Sequence, residues 1–185
     1  MTLPDTIQTK RLLLRPFRLT DVGNVFDYAS NPEWGKYLTV PLPYTYRHAE
    51  QFVALRQLDD PAKEKAWAVE FEGKPIGGIS LRAKAEGYAV CELGWSIALP
   101  HWGKGFMTEV AATMRDTVFS KVPELHRLYA RADLRNIGSW RVMEKTGMQR
   151  EAILRQHANF RGEWVDEVWY AILRPEWENQ VESDQ

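Results

Sequence analysis

Glu92-Leu93-Gly94-Trp95-Ser96-Ile97-Ala98-Leu99-Pro100-His101-Trp102-Gly103-Lys104-Gly105-Phe106-Met107-Thr108-Glu109 is the stretch on which the reading of this chain turns. It passes from an extended segment, Tyr88 to Ala98, through a turn holding two glycines, into a helix expected from about Lys104 to Phe119. Met107, Val110, Ala111, Met114 and Val118 recur along one face of that helix. Gly103 and Gly105 admit backbone conformations and close approaches that a side chain blocks. The N–H groups of a first helical turn have no acceptor inside the helix, and the helix dipole lies behind them. Strand, glycine turn and helix together make an anion site, to which Lys104 adds a positive charge. A P-loop is excluded, because Ala98 stands where its first glycine belongs and Gly105 where Ser or Thr belongs. The dinucleotide fingerprint matches poorly, with Thr108 in place of its third glycine. A turn whose glycines serve geometry alone stands as the alternative.

Working outward, Leu12 to Phe17 reads as a first strand, and Thr20-Asp21 as the N-cap of a short helix that Asn31-Pro32 stops. Thr45 caps a second helix running to about Leu58. Ala66 to Phe71 and Pro75 to Arg82 form strands about the turn Glu72-Gly73-Lys74, with a further turn at Glu86-Gly87. Beyond the central helix come a strand (Arg127 to Ala132), a short helix (Asn136 to Lys145) ended by Gly147, and a closing hairpin of Met148 to His157 with Trp164 to Leu173. The order β-α-α-β-β-β-α-β-α-β-β predicts an α/β (α+β) fold, with a mixed sheet of about seven strands and helices on both faces. A single domain spanning 1–185 is expected, with a core of about 8–174 and a polar, acidic tail at 175–185 that frays.

The 185 residues suffice for one sizeable core, and the net charge of -1 gives no overall attraction to DNA or an anionic membrane. No run approaches the ~18 apolar residues of a membrane span, and Met1 to Lys10 lacks a signal pattern, so a cytoplasmic location is expected. The single cysteine, Cys91, lies in an apolar run and reads as a buried thiol. His48, His101, His126 and His157 show no metal-ligand spacing, so no metal is expected. Trp67, Trp164, Trp169 and Trp177 read as packing residues.

Leu99 to Glu109 resembles the pyrophosphate-binding loop of the GNAT acetyltransferases, and is most similar to their ribosomal-protein N-terminal branch (RimJ/RimL-like). Asn136 to Met148, Thr9 to Arg15 and Trp164 to Tyr170 resemble three further family segments in the family's order. The sequence departs from the pattern at Pro100, where Gln or Arg is usual, at Met143, where a tyrosine often serves as general acid, and at Met148, where an aromatic is usual. The resemblance implies transfer of acetyl from acetyl-CoA to an amine by direct attack, with coenzyme A as product. It implies cofactor contacts from Leu99, Trp102, Gly103, Lys104, Gly105, Phe106, Met107 and Thr108, and from Asn136, Ser139 and Lys145. It also implies an oxyanion donor in the backbone N–H near Ile97.

Such a reaction needs a proton acceptor and a group to neutralise the thiolate. Glu92 is the catalytic candidate for the first, its carboxylate pKa raised by burial; an ion-paired strand glutamate is the other reading. Ser139, one turn from Asn136, is the candidate for the second, beside the reading as an ordinary helix serine. Asn136 both caps its helix and reaches the pantetheine arm. A lysine amine is neutral in only roughly one molecule in 2,500 at pH 7, an α-amine in roughly one in five to ten. A site without a strong acid–base pair therefore fits an α-amine, and the resemblance points likewise to protein N-termini, including those of ribosomal proteins. Small-molecule amines and antibiotics are the alternative acceptors. Trp34, Tyr37 and Tyr44, with Tyr46, either line the acceptor site or pack the first helices. A non-catalytic CoA-binding module is one rival reading. An RNA- or ribosome-associated protein is another, from the basic stretch Arg127, Arg131, Arg135, Arg141, Lys145 and Arg150. A monomer or homodimer is expected.

Overall fold

The computed structural model describes residues 3–85 and 88–183. The expected turn at Glu86-Gly87 lies outside the described residues. Eight strands are present: β1 (Ile7–Gln8), β2 (Leu13–Arg15), β3 (Glu64–Phe71), β4 (Lys74–Ala83), β5 (Val90–Ile97), β6 (Arg127–Asp133), β7 (Gln149–Phe160) and β8 (Glu163–Leu173). Their spatial order is β1-β2-β3-β4-β5-β6-β8-β7. β5 and β6 run parallel, whereas β1/β2, β2/β3, β6/β8 and β7/β8 are antiparallel, so the sheet is mixed as expected. The helices are α1 (Val22–Ala29), α2 (Pro32–Gly35), α3 (Tyr46–Arg56), α4 (Phe106–Lys121), α5 (Ile137–Lys145) and α6 (Arg174–Ser183).

Eight strands stand in place of about seven. The additional one is β1, whose two residues pair as Ile7↔Leu14 and Gln8↔Leu13 and are too few to show a period of two. Asn31-Pro32 does more than stop α1. Asn31 accepts a hydrogen bond from Glu33 N–H at 3.0 Å and Pro32 opens α2, a position where its missing N–H costs nothing. The chain divides into two compact units, each with its own core.

The first unit comprises Arg82–Gly94, Ala111–Gln185 and the N-terminal Met1–Leu3, as far as these are described. On β5 the buried side chains alternate, at Cys91 and Leu93, whereas β6 buries Leu128 to Ala130 and β8 buries Tyr170 to Ile172 as consecutive runs. Met114, Val118 and Phe119 of α4 and Met143 of α5 complete this core. The β7–β8 turn is formed by Arg161 and Gly162, both at positive φ (52° and 87°), a pairing that suits the twist of a two-residue hairpin. The tail expected to fray forms α6. Trp177 stacks on Phe119 with centroids 5.2 Å apart and donates to Asp116 at 2.8 Å, while Arg174 donates to the carbonyls of Phe119, Val122 and Leu125. These partners lie some fifty residues or more away, so the tail's own polarity conceals them. Trp164, expected to pack, is 60% exposed on the hairpin.

The second unit comprises Pro4–Leu81 and Trp95–Val110. Phe17, Val25, Ala29, Trp34, Tyr44, Ala49, Val53 and Ala68 form its apolar cluster. Thr45 caps α3 as expected, accepting from His48 N–H at 3.3 Å. Asp21 precedes α1 but does not cap it by side chain. Its carboxylate is taken by the buried Arg15 guanidinium in two bonds of 2.7 and 2.9 Å, and by Arg18 N–H. Gly77 and Gly78 of β4 are where the backbones crowd: a Cβ on Gly77 would stand 2.3 Å from the Ser96 carbonyl.

Candidate functional site

In the second unit, β5 ends at Ile97 and a single 3-10 turn, Leu99–His101, follows. Ala98 N–H donates to Ile76 O at 2.7 Å, and the exposed Trp102 turns its indole back to donate to Ile97 O at 2.7 Å. Gly103 and Gly105 both have positive φ, 71° and 74°. A Cβ at Gly103 would meet nothing within 4 Å, so the glycine is required there by backbone conformation and not by space. The helix begins at Phe106, two residues later than expected, because Gly105 at positive φ cannot be helical. Its first internal bond is Glu109 N–H to Gly105 O at 3.0 Å. The N–H groups of Phe106, Met107 and Thr108 therefore precede the internal ladder of a 16-residue helix and stand at the positive end of its dipole. Two left-handed glycines, these amides and the Lys104 cation suit a diphosphate.

What holds this loop was not legible in the sequence. Glu109 Oε1 accepts from Thr9 Oγ1 at 2.6 Å and from Arg11 N–H at 2.7 Å, and Oε2 accepts from Arg11 Nε at 2.6 Å. Arg11 also donates to the Lys104 carbonyl at 3.1 Å and lies 4.4 Å over the Phe106 ring. Glu109 and Arg11 thus join the β1–β2 turn, the glycine turn and the first turn of α4. Burial pushes the Glu109 carboxyl up, but the bonds from Thr9 and Arg11 outweigh it and hold its pKa below 4.5. His101 stacks on Phe106 at 5.8 Å, and burial, then Lys104, lowers its pKa.

In the first unit, Glu92 lies on the face of β5 opposite Cys91 and Leu93. Its side chain is 11% exposed and central to a charged cluster: Lys84 Nζ at 2.7 Å, Arg131 Nε at 3.1 Å, Arg82 at 3.7 Å and Tyr129 OH at 3.5 Å. The raised pKa expected of a buried base is not what these surroundings produce. Burial is the largest single influence and acts upward, yet Lys84 and Arg131 together overcome it and leave the pKa below 4.5. Among the described residues the β5/β6 register runs only from Val90↔Arg127 to Glu92↔Tyr129, although β6 continues to Asp133. Beyond Glu92, Arg131 also donates to Glu167 at 2.7 Å, and Tyr129 stacks on Trp169 at 5.3 Å.

Also in the first unit, Asn136 caps α5, its Oδ1 accepting from Ser139 N–H at 3.3 Å. Ser139 is half-buried beside that cap and Lys145 is exposed at the far end of the helix. Met143, where a tyrosine is usual, is 1% exposed and part of the core. The basic stretch is largely neutralised. Arg127 pairs with Glu151, Arg131 with Glu92 and Glu167, Arg135 with Asp133 and Glu163, and Arg141 with Glu144. Among the described residues this pairing offsets four of the stretch's six cations.

In the second unit, Trp34 and Tyr44 belong to the apolar cluster, their rings 6.0 Å apart, and burial pushes the Tyr44 hydroxyl up to about 12. Trp34 Nε1 is buried without a hydrogen-bond partner among the described residues. Tyr37 is half-buried, with Lys36 Nζ 5.6 Å over its ring. Cys91 is fully buried and its thiol is pushed up to about 12, which removes it as a nucleophile. No helix among the described residues is long and apolar enough to cross a membrane.

Residues 11–149 match the family model of the acetyltransferase (GNAT) domain. The chain is 34% identical over 171 residues to the uncharacterized N-acetyltransferase YnaD of Bacillus subtilis, covering 92% of this chain and 98% of YnaD. A crystal structure of a GNAT-family acetyltransferase from Bacillus anthracis superposes with a TM-score of 0.81 at 30% identity, over 92% of this chain and 99% of that one. A more distant relative, the [ribosomal protein uS5]-alanine N-acetyltransferase of Escherichia coli, is 29% identical over 90 residues, covering 49% of this chain and 46% of its own.

Proposed function

Since the chain belongs to the GNAT acetyltransferase family and is an acetyl-CoA-dependent N-acetyltransferase, we propose that its acceptor is the α-amine of a protein N-terminus, of the kind carried by ribosomal proteins. The observation that carries this reading is the state of Glu92. A carboxylate held below 4.5 by Lys84 and Arg131 is ionised at neutral pH but is a weak base. It suits an amine of which roughly one molecule in five to ten is already neutral, and not a lysine at roughly one in 2,500. The relation to the uS5-alanine enzyme points the same way.

Acetyl-CoA supplies an activated thioester acetyl group. In this reading its diphosphate is held by the backbone amides of Gly103 to Thr108 with Lys104, while Leu99, Trp102 and Met107 border the loop. Asn136 would bind the pantetheine arm, and the Ser139 hydroxyl would hydrogen-bond the departing sulfur and pass it a proton taken up from solvent, so that the serine stays neutral. Lys145 adds charge for the phosphates. The N–H of Ile97 supports the acetyl carbonyl oxygen. Glu92 accepts the amine's proton, through water. On the acceptor side, Tyr37 provides surface, while the burial of Trp34 and Tyr44 fits support and not direct contact.

An acetyl-transfer screen tests the reading. It compares peptides differing in their first residue, the same peptides with blocked N-termini and a free lysine, polyamines and aminoglycosides. Preferential transfer to free N-termini beginning with small residues is expected; transfer confined to lysines or small amines overturns it.

A further inference from the structure

The first unit holds a further buried carboxylate, Glu167, that the proposed reaction does not use. Its side chain is 10% exposed. Oε1 accepts from Arg131 Nη1 at 2.7 Å, and Oε2 has no hydrogen-bond partner among the described residues. A buried carboxylate with a single cationic donor holds that donor strongly, because separating them leaves a buried charge unpaired. The strand register makes the pair. Arg131↔Trp169 and Asp133↔Glu167 are opposed across β6 and β8, so Arg131 and Glu167 are diagonal neighbours on one face. Trp169 supports the arrangement, stacking on Tyr129 with planes 7° apart and lying 5.7 Å from the Arg131 guanidinium.

Glu92 meets the same guanidinium from the other side. Lys84 at 2.7 Å, Tyr129 OH at 3.5 Å and Arg82 at 3.7 Å all stand at its Oε2. Its Oε1 receives Arg131 Nε alone among the described residues, at 3.1 Å. Paired guanidinium and carboxylate groups ordinarily make bonds of about 2.7–2.9 Å, often two of them. Arg131 gives a bond of that quality to Glu167 and a single longer one to Glu92.

We propose that Glu167 is a positioning residue for the proton transfer: it draws the Arg131 guanidinium off Glu92 Oε1 and so leaves that oxygen able to accept the amine's proton. The proposal rests on the reading of Glu92 as the base and is independent of which amine is acetylated. Without Glu167 the guanidinium turns wholly to Glu92, and a proton reaching Oε1 must displace a stronger bond. Without Arg131 the same oxygen has lost its donor, and protonation becomes easier. The two substitutions break one ion pair yet act on Glu92 in opposite directions. The other charged or titratable groups facing these three are Arg82 of β4 and Lys84 just beyond it, Tyr129 of β6, Asp133 of β6, which pairs with Arg135, and His157 of β7, whose Nε2 is 3.8 Å from Glu167 Oε2.

The test follows proton uptake by Glu92 through its side-chain carboxyl resonance in carbon-13 NMR, assigned by its loss in Glu92→Gln and fitted where the amide spectrum stays that of the folded protein. Glu167→Gln, which preserves size, is expected to move the titration down by about 0.5 in pH, and Arg131→Met to move it up by about 1. Added to Arg131→Met, Glu167→Gln should move it much less than it does alone, because no guanidinium remains to be positioned. Glu167→Asp, with a shorter reach, should fall between Glu167→Gln and wild type, and carries the comparison if Glu167→Gln does not fold. The same order is expected with His157→Gln throughout. Glu167→Gln should also lower kcat a few-fold and spare the KM for acetyl-CoA, and on a Glu92→Gln background it should lower kcat no further. A titration unmoved or raised by Glu167→Gln overturns the proposal. So does an equal movement with and without Arg131, which would mean that Glu167 acts by its own charge, and so does an order that disappears with His157→Gln. The titration is read without turnover, so the two readings fail separately. Opposite movements beside a Glu92→Gln variant of wild-type rate remove the base and leave the sharing of Arg131; an unmoved titration beside a slowed Glu92→Gln variant removes Glu167 alone.

Discussion

Glu92 and Glu109 are near neighbours in the sequence and nearly equal in burial, at 11% and 15% side-chain exposure, and both have pKa values held below 4.5. They nevertheless do different work. Glu109 receives a main-chain N–H, a hydroxyl and one guanidinium, all within 2.7 Å. Fixed donors of that kind specify a position, and the position specified is that of the glycine turn. Among the described residues Glu92 receives side-chain donors alone, Lys84, Arg131 and the more distant Tyr129 OH, with the Arg82 cation 3.7 Å away. Long cationic side chains neutralise a charge but can move aside, so Glu92 keeps access to other partners. The direction of a pKa shift does not separate a structural carboxylate from a chemical one. The nature of its donors does.

The largest expected effect tests whether the loop needs the backbone that Glu109 holds. Gly105→Val places a β-branched residue at positive φ, at a cost of about 1–2 kcal/mol or more. The KM for acetyl-CoA should rise at least about tenfold, while circular dichroism shows the fold retained. An unchanged KM would mean that the turn's conformation is irrelevant to the cofactor.

Next in size is Glu109→Gln. Its charge-assisted bonds to Thr9 and Arg11 weaken, and about 1.5–3 kcal/mol of stability should be lost, read as the shift in a urea-unfolding midpoint. Glu92→Gln should lower stability less, because Glu92 holds mobile side chains where Glu109 also holds a main-chain N–H and a buried hydroxyl; the reverse ranking breaks the comparison.

Acid titration sharpens the same contrast. Both folded pKa values lie below the ordinary 4.5, so the unfolded chain binds protons more readily than the folded one. The stabilisation from each carboxylate is complete above about pH 4.5 and is lost as pH falls through the folded pKa. Each Gln variant should therefore flatten the fall in stability below that pH. A variant that tracks the wild type throughout would show that its carboxylate contributes nothing to the acid transition.

The smallest effects belong to the chemistry. Glu92→Gln should lower kcat about tenfold, short of the ~100-fold or more of a well-tuned base, and spare the KM for acetyl-CoA. Ser139→Ala should lower kcat by a few-fold with no change in melting temperature. Wild-type rates in both would leave the proton transfers to solvent.

The sequence alone determined those features whose causes lie within a few residues of one another. The strand, glycine turn and helix of residues 92–109, the Thr45 and Asn136 caps and the order of the elements depend on period, φ preference and i to i+3 hydrogen bonds, all local in the chain. Tertiary structure decided the rest. Glu109 meets Thr9 and Arg11 across about one hundred residues of sequence, and Trp177 of α6 finds Phe119 and Asp116 across some sixty. The charge on Glu92 depends on Lys84 from one side and Arg131 from the other. A pKa or a clamp is a sum over neighbours in space, and a single chain read in order does not list its neighbours in space.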